Sequence, residues 1–243
     1  MPKPILIACA MQEEAEPFLG VLDAARSDAT DSPQVPQGFR GPTTFHAGTL
    51  MGVPIVVTVT GIGMTNAALA MTLALSQMEP RAVVFAGTTG GLGQNVHLGD
   101  VVVADSALYH DADASAFGYT PGQIPQMPVL YEADVPLVAK AESSLRATGI
   151  VFHAGQVSSS NSFVSGSQVE PVRGRFPDVL AVDMETSAGA QVCWSFGVPW
   201  VSLRAVSDLC DPNAGEVFDA SAPPAYQRSF EATLALISAL ADN

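Results

Sequence analysis

The sequence predicts an α/β fold with a largely parallel central sheet, and two observations support that prediction. Short apolar runs rich in β-branched residues alternate with segments of helical periodicity along most of the 243 residues. This alternation is typical of layered α/β folds. The chain also contains neither an internal repeat nor a linker, and its 21 Gly and 18 Pro are spread along its length. We therefore expect one globular domain over residues 1–243.

Apolar runs define the predicted strands. The first run, "PILIACA", leads directly into the acidic stretch "MQEEAE" and is too short for the apolar core of a signal peptide, so it predicts a strand. The remaining runs have the length and the β-branched content of buried strands. In chain order, strands are expected at residues 4–10, 53–59, 82–86, 100–104, 151–157, 179–183 and 198–206.

Segments of helical periodicity separate these strands. Helices are expected at residues 12–22, 64–77, 134–147, 184–195 and 225–241. The last helix places Tyr226, Phe230, Leu234 and Ile237 on one face, as a helix that packs on a sheet would. Long loops in compact domains are often functional. Two stretches fit neither pattern and are expected to be such loops, residues 24–43 and 112–133.

The charge of the chain excludes several classes of partner. The net charge is −14, and the only lysines are Lys3 and Lys140. Such a surface repels phosphate backbones and anionic lipids, so we expect no nucleic acid and no membrane among the partners. No apolar run approaches the roughly 20 residues that a membrane-spanning helix needs. A cytoplasmic location is therefore expected.

The cysteines and histidines do not form a metal-binding pattern. Cys9, Cys193 and Cys210 lie in apolar surroundings without a CxxC pair, which is typical of reduced core residues. The four histidines are far apart in the sequence and lack the spacing of metal ligands. They are His46, His97, His110 and His153. The sequence thus predicts no metal site.

Two glycine-rich stretches lack the usual nucleotide-binding signatures. "GIGMTN", residues 61–66, has no third glycine of a dinucleotide fingerprint, and no Gly-Lys-Ser/Thr follows any glycine-rich turn. "GTTGGLG", residues 87–93, follows the apolar run "AVVFA". It predicts either backbone amides that face a ligand at the end of a strand or a tight turn that needs glycine dihedral angles.

Carboxylates follow several of the predicted strands. In "VDMETSA", Asp183 and Glu185 stand at a strand–helix junction, where helix capping is the simplest explanation. Glu13 and Glu14 follow the first strand, and Arg204, Ser207 and Asp208 lie at the end of another. Because strand ends of α/β sheets converge on one crevice, these occurrences in a charge-poor chain favour a ligand site. Separated carboxylates suit acid–base chemistry on a cationic transition state.

The chain resembles the 5′-methylthioadenosine/S-adenosylhomocysteine nucleosidases of the purine nucleoside phosphorylase/uridine phosphorylase superfamily. The resemblance runs in order through "ACAMQEEAEPFL", "TGIGMTNAALA", "GTTGGLGQNVHLGDVVVADSALYHDADASAFGY", "SFVSGS", "VDMETSAGAQVC" and "RAVSDLCD". It implies a three-layer α/β/α sandwich with a mixed, largely parallel sheet, assembled as a homodimer that needs no cofactor and no metal. The implied reaction is hydrolysis of the N-glycosidic bond of a 5′-thio-substituted adenosine, which releases adenine and serves methionine salvage.

The resemblance also implies roles for individual residues. Asp208 matches the general acid that protonates adenine N7, which requires a pKa well above the roughly 3.9 of a free Asp. Glu14 matches the residue that activates the attacking water, with Arg204 nearby. Glu185 matches the residue that holds the ribose hydroxyls, which leaves the capping role to Asp183. The other implied substrate-binding residues are Met184, Ser207, Phe163, Val164, Thr88 and Gly90 around adenine and ribose, Met11, Ile62 and Phe218 in the 5′ pocket, and Tyr119 and Pro125 from the partner subunit.

The sequence departs from the family pattern at a few positions, and several functions stay open. Thr88 and Thr89 stand where Ser and Ala are common, Met64 where Lys is common, and Ala114 where a larger aliphatic residue is common. Segment 24–43 is also longer than usual. The alternatives are a phosphorylase of the same fold, a nucleosidase for aminofutalosine or 5′-deoxyadenosine, and a non-catalytic nucleoside-binding protein. The sequence does not rank the 5′ substituents.

Overall fold

The computed structural model describes residues 2–23 and 32–241. The strands are β1 (Ile5–Cys9), β2 (Thr44–Leu50), β3 (Val53–Val59), β4 (Ala82–Gly91), β5 (Val101–Tyr109), β6 (Tyr131–Glu132), β7 (Phe152–Ser159), β8 (Val179–Asp183) and β9 (Trp200–Asp208). The helices are α1 (Gln12–Leu19), α2 (Met64–Leu75), α3 (Val135–Thr148), α4 (Val169–Arg175), α5 (Thr186–Phe196) and α6 (Ala214–Ala241). Strands and helices therefore alternate along much of the chain, as the sequence predicts, although β2 and β3 follow each other directly and, within the described residues, no α-helix separates β4, β5 and β6.

The described strands form one mixed sheet in the order β2-β3-β1-β4-β8-β7-β5-β6, and β9 pairs with both β4 and β5. The pairs β1–β3, β1–β4, β4–β9, β5–β7 and β7–β8 are parallel. The β4–β8 pair is antiparallel and is confined to Gly90↔Val182 and Gly91↔Ala181. Because only the last residues of β4 pair with β8, the carboxyl ends of these two opposed strands meet at one point.

Helices cover both faces of the sheet. Along β1, Ile5 and Ile7 pack into one apolar cluster, and Leu6 and Ala8 pack into another, as the alternating geometry of a strand requires. The first cluster includes residues of α1, α3 and α6, and the second includes residues of α2 and α5. The fold is thus an α/β/α sandwich with a mixed, largely parallel sheet, as expected.

Several predicted boundaries differ from the structure. Strand β4 continues through the glycine-rich stretch to Gly91, so the tight-turn interpretation of "GTTGGLG" was wrong. Helix α5 begins at Thr186 instead of residue 184, and α6 begins at Ala214 instead of residue 225. Pro223 and Pro224 lie inside α6, where proline usually breaks a helix, and both are exposed.

The sequence also missed some elements. Strands β2 and β6 and helix α4 were not predicted. Loop 112–133 contains a short 3₁₀ turn, Ser115–Phe117, and then β6. Of predicted loop 24–43, residues 24–31 lie outside the described residues, and 32–43 contain only turns and bends. None of the helices in residues 2–23 and 32–241 is long and apolar enough to cross a membrane.

Candidate active site

A cavity of about 600 Å³ lies where β1, β4, β8 and β9 end. This location follows from the topology, because the three parallel strands β1, β4 and β9 end on one side and the end of β8 crosses the end of β4 there. The cavity brings together residues that are far apart in the sequence. The predicted residues among its lining are Met11, Glu14, Ile62, Thr88, Gly90, Phe163, Met184, Glu185, Arg204, Ser207, Asp208 and Phe218.

Glu14 lies at the floor of the cavity and is only 2% exposed. One carboxylate oxygen accepts hydrogen bonds from the backbone N–H groups of Ala10, at 2.8 Å, and Met11, at 3.2 Å. The other accepts bonds from the N–H and the hydroxyl of Thr88, at 2.8 and 3.0 Å. These four donors fix the carboxylate in one orientation against β4.

Gly87 makes this close approach possible. A Cβ atom at this position would lie 2.4 Å from the carboxyl carbon of Glu14, closer than any real contact. Its φ of 139° is also one that residues with side chains rarely adopt. The first glycine of "GTTGGLG" is therefore required because only a residue without a side chain leaves space for the Glu14 carboxylate.

Arg204 connects two buried carboxylates. Its Nε lies 3.2 Å from Asp183 Oδ2, its Nη2 lies 3.4 Å from Glu185 Oε2, and its Nη1 donates to the Thr88 carbonyl at 2.9 Å. Glu185 also accepts the N–H of Gly63 at 2.8 Å. Burial raises the pKa of Glu185 to about 7, although Arg204 opposes that shift. This carboxyl therefore changes charge near neutral pH.

Asp183 has a larger role than capping. Its Oδ1 accepts the N–H groups of Glu185 and of Thr186, the first residue of α5, at 3.1 and 3.0 Å, so Asp183 satisfies donors at this helix end although Glu185 occupies the N-cap position. It also accepts the Ser159 hydroxyl at 2.5 Å and pairs with Arg204 in the cavity wall. No local pattern in the sequence indicates this ion pair, because β8 and β9 become neighbours of the site only in the folded chain.

Asp208 faces the same cavity at the end of β9 and is 2% exposed. Its Oδ1 accepts the N–H of Cys210 at 3.0 Å, and its Oδ2 accepts the hydroxyl of Ser207 at 3.0 Å. Burial raises the pKa of Asp208 above its ordinary value, although these hydrogen bonds oppose the shift. Asp208 is thus protonated more readily than a free aspartate.

Two aromatic rings form part of the cavity wall. Phe163 and Phe218 contact each other edge to face, with ring centroids 6.2 Å apart. Val164, the neighbour of Phe163, lines a small adjoining cavity that also borders Asp208. The wall thus offers a flat apolar surface beside a carboxyl, which suits a purine ring.

Some residues of the cavity differ from the prediction. Tyr119 and Pro125 are not among the lining residues, which agrees with their assignment to a second subunit but does not test it. The structure adds Ala10, Thr89, Val182, Asp183, Gly215, Glu216 and Asp219 to the lining. Gly215 lies three positions before Phe218 and so on the same face of α6, but the sequence analysis placed the start of this helix at residue 225 and could not use that spacing. In the described part of the chain, no group of three His, Cys, Asp or Glu side chains is placed to bind a metal.

Comparison with known proteins first identifies a class. The family model described as the phosphorylase superfamily matches residues 4–240. A 5′-methylthioadenosine/S-adenosylhomocysteine nucleosidase of Staphylococcus aureus (strain JH9) is 39% identical over 197 residues, which are 81% of this chain and 86% of the relative. The chain therefore belongs to the phosphorylase superfamily and, within it, to the 5′-methylthioadenosine/S-adenosylhomocysteine nucleosidase family.

Solved structures agree with this assignment. The 5′-methylthioadenosine/S-adenosylhomocysteine nucleosidase of Neisseria meningitidis, in complex with methylthio-immucillin-A, has a TM-score of 0.88 and 32% identity, covering 97% of this chain and 98% of that one. The futalosine hydrolase of Helicobacter pylori strain 26695 has a TM-score of 0.84 and 30% identity, covering 97% of each chain. The fold alone is thus compatible with more than one 5′ substituent.

Proposed function

We propose that the protein hydrolyses the N-glycosidic bond of 5′-methylthioadenosine and S-adenosylhomocysteine, releasing adenine and the 5-thioribose product. The observation that carries this proposal is the placement of three buried carboxyl groups, Glu14, Glu185 and Asp208, around one cavity. A protein that only binds a nucleoside would not need all three. Membership of the nucleosidase family supports the same reaction.

Asp208 serves as the acid for the leaving group. Adenine leaves poorly as an anion, so N7 must receive a proton while the C1′–N9 electron pair passes to the base. Burial favours the protonated carboxyl, and the Ser207 hydroxyl, 3.0 Å away, orients it. The adjacent Phe163 and Val164 hold the purine ring, by stacking and through the backbone.

Glu185 stabilises the sugar as the bond breaks. The ribose becomes cationic in an oxocarbenium-like transition state, which an ionised carboxylate stabilises. Glu185 binds the ribose hydroxyls, and the backbone of the adjacent Met184 contacts one of them. The ion pair with Arg204 and the N–H of Gly63 hold the Glu185 carboxylate in place.

Glu14 activates the water. It removes a proton as the water oxygen bonds to C1′, and the proton lost by Asp208 and the one gained by Glu14 are exchanged with solvent after turnover. Thr88 has a part in this step. Its hydroxyl donates to Glu14 Oε1 at 3.0 Å, the oxygen that also accepts the Thr88 N–H. Rotation of that hydroxyl frees an acceptor site for the water. Arg204 and Gly90 complete the wall next to the water and the ribose.

The 5′ substituent lies in an apolar pocket that a second subunit completes. Met11, Ile62 and Phe218 line this pocket within one chain, and Tyr119 and Pro125 of the partner would close it. Several large apolar side chains outside the core are exposed, as expected for a homodimer interface. They are Ile62, Leu69, Phe117 and Trp194, of which Phe117 is 83% exposed.

The charges around the cavity distinguish this function from its alternatives. Glu216 and Asp219 line the cavity on either side of Phe218, so a 5′ substituent with a net negative charge would meet like charge, whereas S-adenosylhomocysteine carries an ammonium group that balances its carboxylate. This disfavours futalosine-type substrates. Phosphate would likewise meet Glu14, and the only cationic side chain among the lining residues, Arg204, is paired with Asp183 and Glu185. Water is therefore favoured over phosphate.

Since the substrates are by-products of S-adenosylmethionine, the activity would serve methionine salvage in the cytoplasm.

A substrate panel tests the proposal. We expect adenine release from 5′-methylthioadenosine and S-adenosylhomocysteine in phosphate-free buffer, and slower release from aminofutalosine. The sugar product separates the reactions: free 5-methylthioribose supports hydrolysis. A sugar 1-phosphate as the main product, or turnover that rises in proportion to phosphate, would establish a phosphorylase instead. Absence of adenine release from every substrate would leave only a binding protein.

A further inference from the structure

Ser229 of α6 connects two strands that lead into the active site. It lies outside the lining of the cavity and is 1% exposed. Its hydroxyl accepts the N–H of Gly87 on β4 at 2.8 Å and donates to the carbonyl of Leu203 on β9 at 2.7 Å. Both bonds fall within the normal range for hydrogen bonds of this kind. One side chain from the helical layer therefore bridges the sheet at this point.

The bridge lies where β4 departs from regular strand geometry. Gly87 pairs with Arg204 in the parallel β4–β9 ladder, and its φ is 139°. A buried N–H that is turned out of the regular ladder needs another acceptor. The Ser229 hydroxyl is that acceptor, and its own proton satisfies the Leu203 carbonyl.

The two bridged residues each precede a residue of the site. After Gly87 comes Thr88, whose N–H and hydroxyl hold Glu14. After Leu203 comes Arg204, which donates to the Thr88 carbonyl and pairs with Glu185. A displacement of either strand at the bridge would therefore move the groups that orient the water's base and the ribose carboxylate.

We propose that Ser229 is a positioning residue for the nucleosidase reaction: through Gly87 and Leu203 it sets the relative positions of Thr88 and Arg204, and thereby of Glu14 and Glu185. This inference rests on the proposed function. It assigns no contact with substrate to Ser229. Misplacement of reacting groups by about 1 Å can cost about 100-fold in rate, so a bond that fixes two strands has large kinetic consequences even when its loss changes the binding pocket only slightly.

Ser229→Ala tests the proposal, with Thr233→Ala as the matched control. Thr233 lies one turn further along α6, is equally buried, and its hydroxyl has no hydrogen-bond partner among the described residues. For 5′-methylthioadenosine hydrolysis, we expect Ser229→Ala to lower kcat about 10- to 100-fold with KM changed less than about threefold. Thr233→Ala should keep kcat within about twofold of the wild type.

A second pair of variants covers the case in which Ser229→Ala does not fold. Ser229→Thr and Ser229→Val add nearly the same volume, and only Thr keeps the hydroxyl, so Thr should retain at least tenfold more kcat than Val. Equal kcat in this pair, or wild-type kcat in Ser229→Ala, would overturn the positioning role. A fall in kcat that Thr233→Ala reproduces would also overturn it, since the loss would then reflect packing of α6. If the wild type itself releases no adenine, the proposed function fails independently of these comparisons.

Discussion

Asp208→Asn separates the acid role of Asp208 from its structural contacts. In the wild type the Cys210 N–H lies 3.0 Å from Asp208 Oδ1, and the side-chain oxygen of Asn can accept the same hydrogen bond. Its amide group would face the Ser207 hydroxyl, which can turn to the Thr89 carbonyl, 3.3 Å away, and accept a bond from the amide. No buried polar group is then left unpaired, so the free energy of unfolding should stay within about 1 kcal/mol of the wild type at pH 7.

The catalytic cost of the same substitution is much larger. A positioned general acid contributes about 10²- to 10⁴-fold in rate, which corresponds to about 3–5 kcal/mol at 1.36 kcal/mol per decade. We expect kcat for adenine release to fall by that factor. The dissociation constant for 5′-methylthioadenosine should change by less than about tenfold, because the asparagine amide still has the shape of the acid and can contact N7.

The assay combines steady-state adenine release with thermal unfolding and equilibrium binding of 5′-methylthioadenosine. Asp211→Asn is the matched control, because it makes the same chemical change three residues away in an exposed side chain whose oxygen accepts the Asn213 N–H. That variant should be nearly as active as the wild type, because the charge of Asp211 makes only the smallest contribution to the raised pKa of Asp208. Near-wild-type turnover in Asp208→Asn would remove Asp208 from the acid role, and a fall in turnover accompanied by a large fall in Tm would assign it a structural one.

Three further predictions follow from the same geometry. Glu14→Gln should lower kcat at least 100-fold with little change in KM; an effect on KM alone would make Glu14 a binding residue. Since the pKa of Glu185 is raised to about 7, the carboxyl is neutral below that pH and cannot stabilise a cation, so kcat/KM should rise as pH increases through about 7. A Glu185→Gln variant that keeps this rise would refute the assignment. Light scattering should give a dimer, and Tyr119→Ala should raise KM for 5′-methylthioadenosine; a fully active monomer would contradict the shared pocket.

Much of the fold could be predicted because its main signals are local. Strands such as β1 and β8 are short apolar runs, and α2 and α3 have helical periodicity, both of which depend only on neighbouring residues. Elements without a clear local signal were missed. Strand β2, for example, has mostly half-buried or exposed residues at the edge of the sheet, so its sequence "TFHAGTL" lacks a strong apolar pattern.

The candidate site was predictable to a similar extent. Resemblance to a family identified Glu14, Glu185 and Asp208, and the structure brings all three to one cavity. Physical reasoning alone located carboxylates at strand ends but could not assign Phe163 to the site, because a lone Phe is usually a core residue. The family motifs, which occur in order along the chain, therefore predicted which residues form the site. The carboxylates at strand ends predicted only that the site suits acid–base chemistry.

Tertiary structure alone decided how these groups are held. The ion pair between Asp183 and Arg204 joins residues on β8 and β9, which are not paired with each other in the sheet. The bridge from Ser229 to Gly87 joins residues 142 positions apart in the sequence. The raised pKa of Glu185 arises chiefly from burial, which exists only in the folded chain. The sequence by itself determined which chemical groups are available and the local elements that carry them. Their distances, orientations and protonation depend on contacts between distant segments, so only the folded chain could decide them.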